Sequence, residues 1–162
     1  MAVTASLLNN AVGFLPYGKS TTLMGREDAS ETYVRGSALI LTGGRLAELA
    51  VDGTADIVGV AQRAATGTTD TEALYWPATV NQVFEATFED DQIAGHAIVI
   101  ADLYVDYAIQ QDDDGIHYVD QNDTTNTAVI LCGLRDWQNM ADATVRARIL
   151  VRFLKDVTIY DT

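Results

Sequence analysis

YVRGSALILTGGRLAELAV, residues 33–51, decides the fold, and DGTADIVGVAQRAA, residues 52–65, continues the same pattern. Both stretches consist of short apolar runs cut by glycine, which is typical of β-strands rather than of helices. Residues 38–41 and 45–51 flank the pair Gly43-Gly44. This arrangement predicts a β-hairpin with a glycine-rich turn.

Further strands are predicted downstream, between segments rich in turn residues. From Phe84 to Phe88, alternate residues share one side of the chain, which is the period of two expected of a half-buried strand. Asp52-Gly53 predicts a reversal just before the next strand. The predicted strands after the first hairpin are residues 57–61, 73–76, 80–88, 104–109, 116–120, 128–134 and 144–153.

Residues 91–95 are the one place where a helix competes with strands. An aspartate at 90 or 91 can cap a helical turn, but Gly95 and the β-branched run at 98–100 disfavour a long helix. We therefore expect a mainly β chain with at most one short helix. With roughly eight to ten short strands, the expected class is all-β, either a small β-barrel or a sandwich.

Charge excludes several classes of partner. The 162 residues carry ten Lys and Arg against twenty-three Asp and Glu, for a formal net charge of −13. Binding to nucleic acid or to an anionic membrane requires a basic face, so we expect neither as a direct partner. The first fifteen residues lack the basic start and sustained apolar core of a signal peptide, and no apolar run is long enough to cross a bilayer.

The clearest internal boundary is one of charge. Residues 1–26 contain Lys19 and Arg26 but no acid, and their glycines and polar residues favour an extended path over a helix. We therefore predict an extended N-terminal arm at 1–26 and a single β-rich domain at 27–162, with the change between Gly25 and Tyr33. The arm's apolar residues need cover from their own domain or from a neighbouring subunit. These candidate partner-binding residues are Leu7, Leu8, Val12, Phe14, Leu15 and Tyr17.

A basic stripe is predicted near the C-terminus. Arg146, Arg148 and Arg152 are two and four residues apart, so on a strand they share one face. Such a stripe can pair with acids of a neighbouring subunit, and pairing with the chain's own acidic strands is an equal alternative.

The residues that usually carry chemistry form no local motif. His96 and His117 have no second histidine or cysteine at metal-ligand spacing, and Cys132 lies in an apolar run where a free cysteine behaves as a small core residue. No phosphate-binding glycine motif is present. We therefore expect no catalytic residues, no bound metal and no cofactor.

The turn DDDG, Asp112 to Gly115, offers hard oxygen ligands of the kind that calcium prefers. It lacks the alternating acids and the closing glutamate of an EF-hand loop. A solvated hairpin turn is the favoured interpretation, with glycine adopting a positive φ. A calcium- or carbohydrate-binding β-domain is the alternative, for which Trp76 and Trp137 are candidate sugar contacts.

From residue 34 onward, the order of segments resembles that of the small capsid decoration (cement) proteins of tailed bacteriophages. The resemblance covers about four-fifths of the chain and rests on structural glycines and apolar strands. Its motifs are Arg35-Gly36, Gly43-Gly44, Val58-Gly59-Val60-Ala61, Ala101-Asp102-Leu103, Asp123-Thr124-Thr125 and the strand at 145–153.

The resemblance implies a β-barrel or tulip-like domain that binds the outer face of an assembled viral capsid. The implied partners are the major capsid protein and other copies of the chain, as a homotrimer, and the implied location is the virion, with assembly in the host cytoplasm. It implies no enzymatic activity and no cofactor. Another virion subunit, from the tail tube, head-completion region or fibre base, is the alternative within the same structural class.

Overall fold

The computed structural model describes residues 13–50, 56–89, 98–135 and 147–160. Within these ranges the chain forms β-strands and two single 3-10 turns, Ile100–Asp102 and Lys155–Val157, and contains no α-helix. The predicted all-β class is confirmed. The strands are β1 (Leu15–Pro16), β2 (Leu23–Arg26), β3 (Ala38–Thr42), β4 (Arg45–Glu48), β5 (Ile57–Ala61), β6 (Glu72–Pro77), β7 (Phe84–Glu89), β8 (Asp106–Gln111), β9 (His117–Asp120), β10 (Val129–Leu134) and β11 (Ala147–Phe153).

Five of these strands close into a barrel. The order is β7-β11-β10-β8-β9, and β9 returns to β7 in parallel, with Phe88 opposite Val119. The other pairings around the barrel are antiparallel. β1 lies at the edge of this sheet, where Leu15 pairs with Glu85 of β7. Of the two predicted architectures, the barrel is therefore the one that forms.

The second sheet has the order β2-β6-β5-β3-β4. It contains the predicted hairpin, in which Thr42 of β3 pairs with Arg45 of β4 across Gly43-Gly44. An isolated parallel bridge between Glu27 and Leu46 brings the end of β2 to β4. The sheet therefore curls towards closure, but a single bridge completes it.

The central strand β5 is buried along its whole length. One side, with Ile57 and Val60, belongs to the core shared with the barrel, whereas Val58 and Ala61 belong to a smaller core inside the curled sheet. Burial on both faces explains why this segment is a continuous apolar run rather than an alternating one.

Four phenylalanines dominate the larger core. Phe14, Phe84, Phe88 and Phe153 have no or almost no exposed surface. The Phe153 ring lies 5.5 Å from that of Phe14 and 5.3 Å from that of Phe84, between ring centroids. The phenylalanines of β7 share one side, as predicted, but the strand is not half-buried, because its other side is buried as well from Thr87 onward.

Two glycines bring the start of the described chain against the body. Gly13 and Gly36 are in backbone contact, and a Cβ on either residue would collide with the other. The amide of Phe14 donates to the Gly36 carbonyl at 2.8 Å, and Gly36 has a φ of +92° that favours glycine. The glycine in the Arg35-Gly36 motif is thus required by close packing.

Several boundaries differ from those predicted. β7 begins at Phe84 rather than at residue 80, because the chain turns there, with the Gln82 amide donating to the Thr79 carbonyl at 3.0 Å. β8 begins at Asp106 because Tyr104 has a positive φ that interrupts an extended strand. β1 and β2 lie where an irregular path was predicted. The predicted reversal at Asp52-Gly53 and the helical turn at 91–95 lie outside the described residues.

Candidate functional site

The candidate partner-binding residues of the N-terminal segment have different environments. Phe14 is fully buried in the domain's own core, and Leu15 is half-buried in β1. Tyr17 is 47 % exposed. Leu7, Leu8 and Val12 lie outside the described residues. The ring of Phe14 is therefore buried by its own chain rather than by a neighbouring subunit.

The basic stripe lies on the outer face of β11. Arg148 is half-buried and Arg152 is exposed, while the alternate residues point into the core; Arg146 lies outside the described residues. An Arg148 Nη2 lies 3.0 Å from Glu85 Oε1 on the neighbouring strand β7. Of the two predicted roles, pairing with the chain's own acidic strand is the one observed for Arg148.

Glu85 also joins this stripe to the N-terminal segment. Its Oε2 lies 3.5 Å from Arg135 Nε, and the Arg135 guanidinium lies over the Tyr17 ring, 5.6 Å from the ring centroid. A cation over an aromatic face is attracted by the ring's quadrupole. Tyr17, Arg135, Glu85 and Arg148 therefore form one surface cluster, the Glu85 cluster, whose charges are largely paired within the chain.

The acidic turn uses its carboxylate to organise its own backbone. Asp112 Oδ1 accepts hydrogen bonds from the amides of Asp114, at 3.0 Å, and Ile116, at 2.8 Å. Gly115 has the positive φ expected of a hairpin turn. Among the described residues, no three His, Cys, Asp or Glu side chains are grouped so that they could hold a metal ion. The geometry is that of an aspartate-capped turn.

His117 lies where the barrel meets the second sheet. Its side chain is buried, and Nε2 is 3.1 Å from the carbonyl of Leu49, which follows β4. Burial lowers the pKa of His117 to about 4. The neutral ring, with its proton on Nε2, therefore links the two parts of the fold at neutral pH.

Cys132 is not the small core residue that the sequence predicted. The adjacent Leu131 fills the core, whereas Cys132 is half-buried on the other side of β10, and its thiol donates to the Leu150 carbonyl at 3.3 Å. Partial burial raises the pKa of the thiol. The thiol therefore stays protonated and weakly nucleophilic at neutral pH.

A buried carboxylate escaped the sequence analysis. Glu27 is 1 % exposed and accepts hydrogen bonds from three successive amides of one loop: Gly67 at 2.6 Å, Thr66 at 3.0 Å and Thr68 at 3.2 Å. This loop connects β5 to β6, so the carboxylate fixes it against the end of β2. A glutamate beside an Asp in a polar stretch carries no local signal of such a role.

Residues 98–105 form a turn with three exposed apolar side chains, where a strand was predicted from residue 104. Val99, Ile100 and Tyr104 are 50 %, 69 % and 73 % exposed. Between and after them, Leu103 and Val105 pack against the larger core and anchor the turn. We call residues 98–105 the apolar turn.

Hydrogen bonds hold the apolar turn in one conformation. Asp102 Oδ2 accepts from the Val99 amide at 2.8 Å, and Asp102 Oδ1 accepts from the Tyr107 hydroxyl at 3.3 Å. The Tyr104 amide donates to the Leu131 carbonyl at 2.7 Å, and the Leu131 amide donates to the Val105 carbonyl at 3.1 Å. The turn is thus an extension of the barrel wall rather than a loose loop.

Trp76, a candidate sugar contact, is half-buried. It packs against the larger core, and the Arg35 guanidinium lies 5.7 Å from its ring centroid. Trp137 lies outside the described residues, as does His96. A shallow, open recess elsewhere is lined by Thr125, Asn126, Thr127, Asp156 and Val157. It brings together none of the aromatic side chains on which a sugar ring would stack.

No helix in the described ranges is long and apolar enough to span a membrane. No protein-family model, curated protein or solved structure matches the chain. What the protein does must therefore be inferred from its own residues and geometry.

Proposed function

We propose that the chain is a non-enzymatic structural protein that binds the outer surface of an assembled viral capsid and stabilises it. The proposal rests on the resemblance to decoration proteins. The observation that carries it is where the motifs of that resemblance lie in the fold. Gly36 receives the backbone of Gly13, Gly59 lies directly against the Trp76 backbone, and β11 lies in the barrel wall between β7 and β10. These three motifs thus contribute to building the domain.

The charge and architecture are consistent with this role. A strongly negative chain stays soluble and is steered towards basic surfaces. A closed barrel has few free strand edges, which protects a protein stored at high concentration from edge-to-edge aggregation. Avidity on a shell comes from contacting several subunits at once, so we also propose that the protein acts as a homotrimer beside the major capsid protein.

The N-terminal segment is the proposed fastener. Phe14 and Leu15 fix the start of the described chain on the barrel. An extended peptide can add to a sheet edge of a neighbouring subunit and gain affinity from main-chain hydrogen bonds. We propose that Leu7, Leu8 and Val12 make these contacts, together with the exposed side chain of Tyr17.

Co-sedimentation tests the proposal with undecorated capsids, assembled from the major capsid protein encoded in the same genome. The full chain should pellet with the capsids and raise the temperature at which they disrupt. A chain that stays in the supernatant at every protein concentration would contradict the proposal. Cryo-electron microscopy of the complex then separates the capsid face from the tail and fibre base, where the alternative virion subunits belong.

A truncation tests the fastener. The cut belongs before Gly13 rather than at the charge boundary, because removal of residues 1–25 would also remove Phe14, β1 and most of β2. A chain lacking residues 1–12 should keep the unfolding temperature of the full protein and lose at least about tenfold in capsid affinity. Full affinity in the truncated chain would show that the segment is not the fastener.

A further inference from the structure

The apolar turn concentrates exposed hydrophobic surface in one place. Val99, Ile100 and Tyr104 fall within six consecutive residues, while the other large exposed apolar side chains in the described ranges are spread over distant elements. Scattered exposed apolar residues are ordinary, but a contiguous group on a rigid support is typical of binding sites.

Tyr104 has a backbone conformation that a bulky residue rarely adopts. Its φ is +64°, in the left-handed region, which is unfavourable for a non-glycine residue. The strain brings no visible gain in packing, since the side chain is 73 % exposed. A tyrosine held outward at this cost points to a role for its ring in recognition.

The turn lies in a stretch of sequence without bases, and this charge points to the partner. No Lys or Arg occurs between Arg63 and Arg135, a span that contains thirteen Asp and Glu and therefore the whole net charge of −13. Asp102 lies in the turn and Asp106 begins the following strand. The nearest base by strand register is Arg152, which pairs with Ile130, itself opposite Asp106. The turn thus presents apolar side chains within a predominantly acidic part of the chain.

We propose that the apolar turn docks into an apolar pocket rimmed by Lys and Arg on the capsid subunit, with Ile100 and Tyr104 as its anchors. This inference rests on the proposed function and names the surface that performs it. Charge complementarity selects this occupant, because a basic rim is attracted by the acids around the turn. A second copy of the chain would bring like charges together, and an anionic membrane would repel them.

Single substitutions test the turn without disturbing the fold. Ile100→Ser and Tyr104→Asn remove exposed side chains, and asparagine tolerates the left-handed conformation better than tyrosine. Each variant should lose at least about tenfold in affinity for assembled capsids, as expected of a central anchor. The unfolding temperature of Ile100→Ser should equal that of the wild type. The unfolding temperature of Tyr104→Asn should be equal or higher, because asparagine relieves the backbone strain. Met24→Ser is the matched control, because Met24 is 62 % exposed on β2 of the other sheet, and its affinity should stay that of the wild type.

The outcomes separate this inference from the proposed function. Wild-type binding with equally tight binding of both turn variants would overturn the inference alone, whereas absence of wild-type binding would overturn both. If Met24→Ser weakened capsid binding as much as the two turn variants do, the loss of affinity would not be specific to the apolar turn, and the inference would be overturned. Two further measurements assign other occupants: dissociation of a wild-type oligomer by Ile100→Ser in light scattering indicates a second copy, and flotation of the wild type with phosphatidylcholine vesicles indicates a membrane. Either result would overturn the inference.

Discussion

The closed barrel and the second sheet solve the problem of closure in different ways. In the barrel, every strand from β7 to β11 pairs with two neighbours, and aromatic rings fill the core. In the second sheet, β2 and β4 meet through one bridge, and the enclosed core is small, with the buried Glu27 carboxylate beside it. The barrel therefore combines the larger apolar core with buried polar residues, among them Glu89 of β7 and Asp120 of β9, whereas the curled sheet encloses less apolar surface beside its own buried carboxylate.

The two regions nevertheless share one hydrophobic core. Ala38, Ile57 and Val60 of the second sheet belong to the same core cluster as the phenylalanines of the barrel. The C-terminal segment adds a second link, since Thr158 forms a bridge with Ile57 and the Tyr160 hydroxyl lies 2.6 Å from that of Tyr75. We therefore expect damage to either region to appear in a single cooperative transition.

The largest effect should come from the aromatic core. Phe153→Ala removes a buried ring that contacts both Phe14 and Phe84, and should lower the free energy of unfolding by about 4 kcal/mol. Urea denaturation followed by circular dichroism measures the loss. Phe153→Leu is the control and should cost clearly less, because most of the apolar volume is kept. Equal costs for both variants would show that ring packing does not stabilise the barrel.

The junction between the regions should make stability depend on pH. Unfolded histidine titrates near 6.5, whereas His117 in the fold has a pKa of about 4, so in this window only the unfolded chain binds the proton. The contribution of His117 to the free energy of unfolding is fully present above about pH 6.5. It decreases as the pH drops, by about 2 kcal/mol between pH 7 and pH 5. Urea midpoints across this range measure the loss. His117→Gln should flatten the profile, and an unchanged slope in that variant would assign the pH dependence to other groups.

A smaller effect is expected in the second sheet. Glu27→Gln keeps one oxygen for the Gly67 and Thr68 amides but places its NH2 where Oε2 faces the Thr66 amide, and should cost about 1 kcal/mol. Hydrogen exchange at the Thr66 amide should become faster, because one of its two acceptor oxygens is replaced by a donor. Glu72→Gln, at an exposed position of β6, is the matched control and should change neither quantity. Slow exchange retained in Glu27→Gln would mean that other contacts fix the loop.

Most strands were predictable because their signals are local. Period-two alternation identified β7, and the glycine pair identified the β3–β4 hairpin. β1 and β2 were missed because short strands flanked by glycine and proline are stabilised by partners far along the chain, at β7 and β6. The turn at Asp112 was correctly interpreted as a hairpin, since an aspartate and a glycine three residues later carry the turn chemistry themselves.

The sequence by itself determined the all-β class, the acidic character and the acid-free start, since each depends on residue type and short-range spacing. The tertiary structure decided what long-range contact alone can decide: that the barrel closes through the parallel pair β7–β9, that Phe14 is covered by its own domain, and that Tyr104 points outward. The physical reason is that closure, burial and backbone strain depend on which distant segments meet. Within residues 98–105 the apolar side chains cannot be told apart by residue type, and only the fold separates Leu103 and Val105, which pack against the core, from the exposed Ile100 and Tyr104.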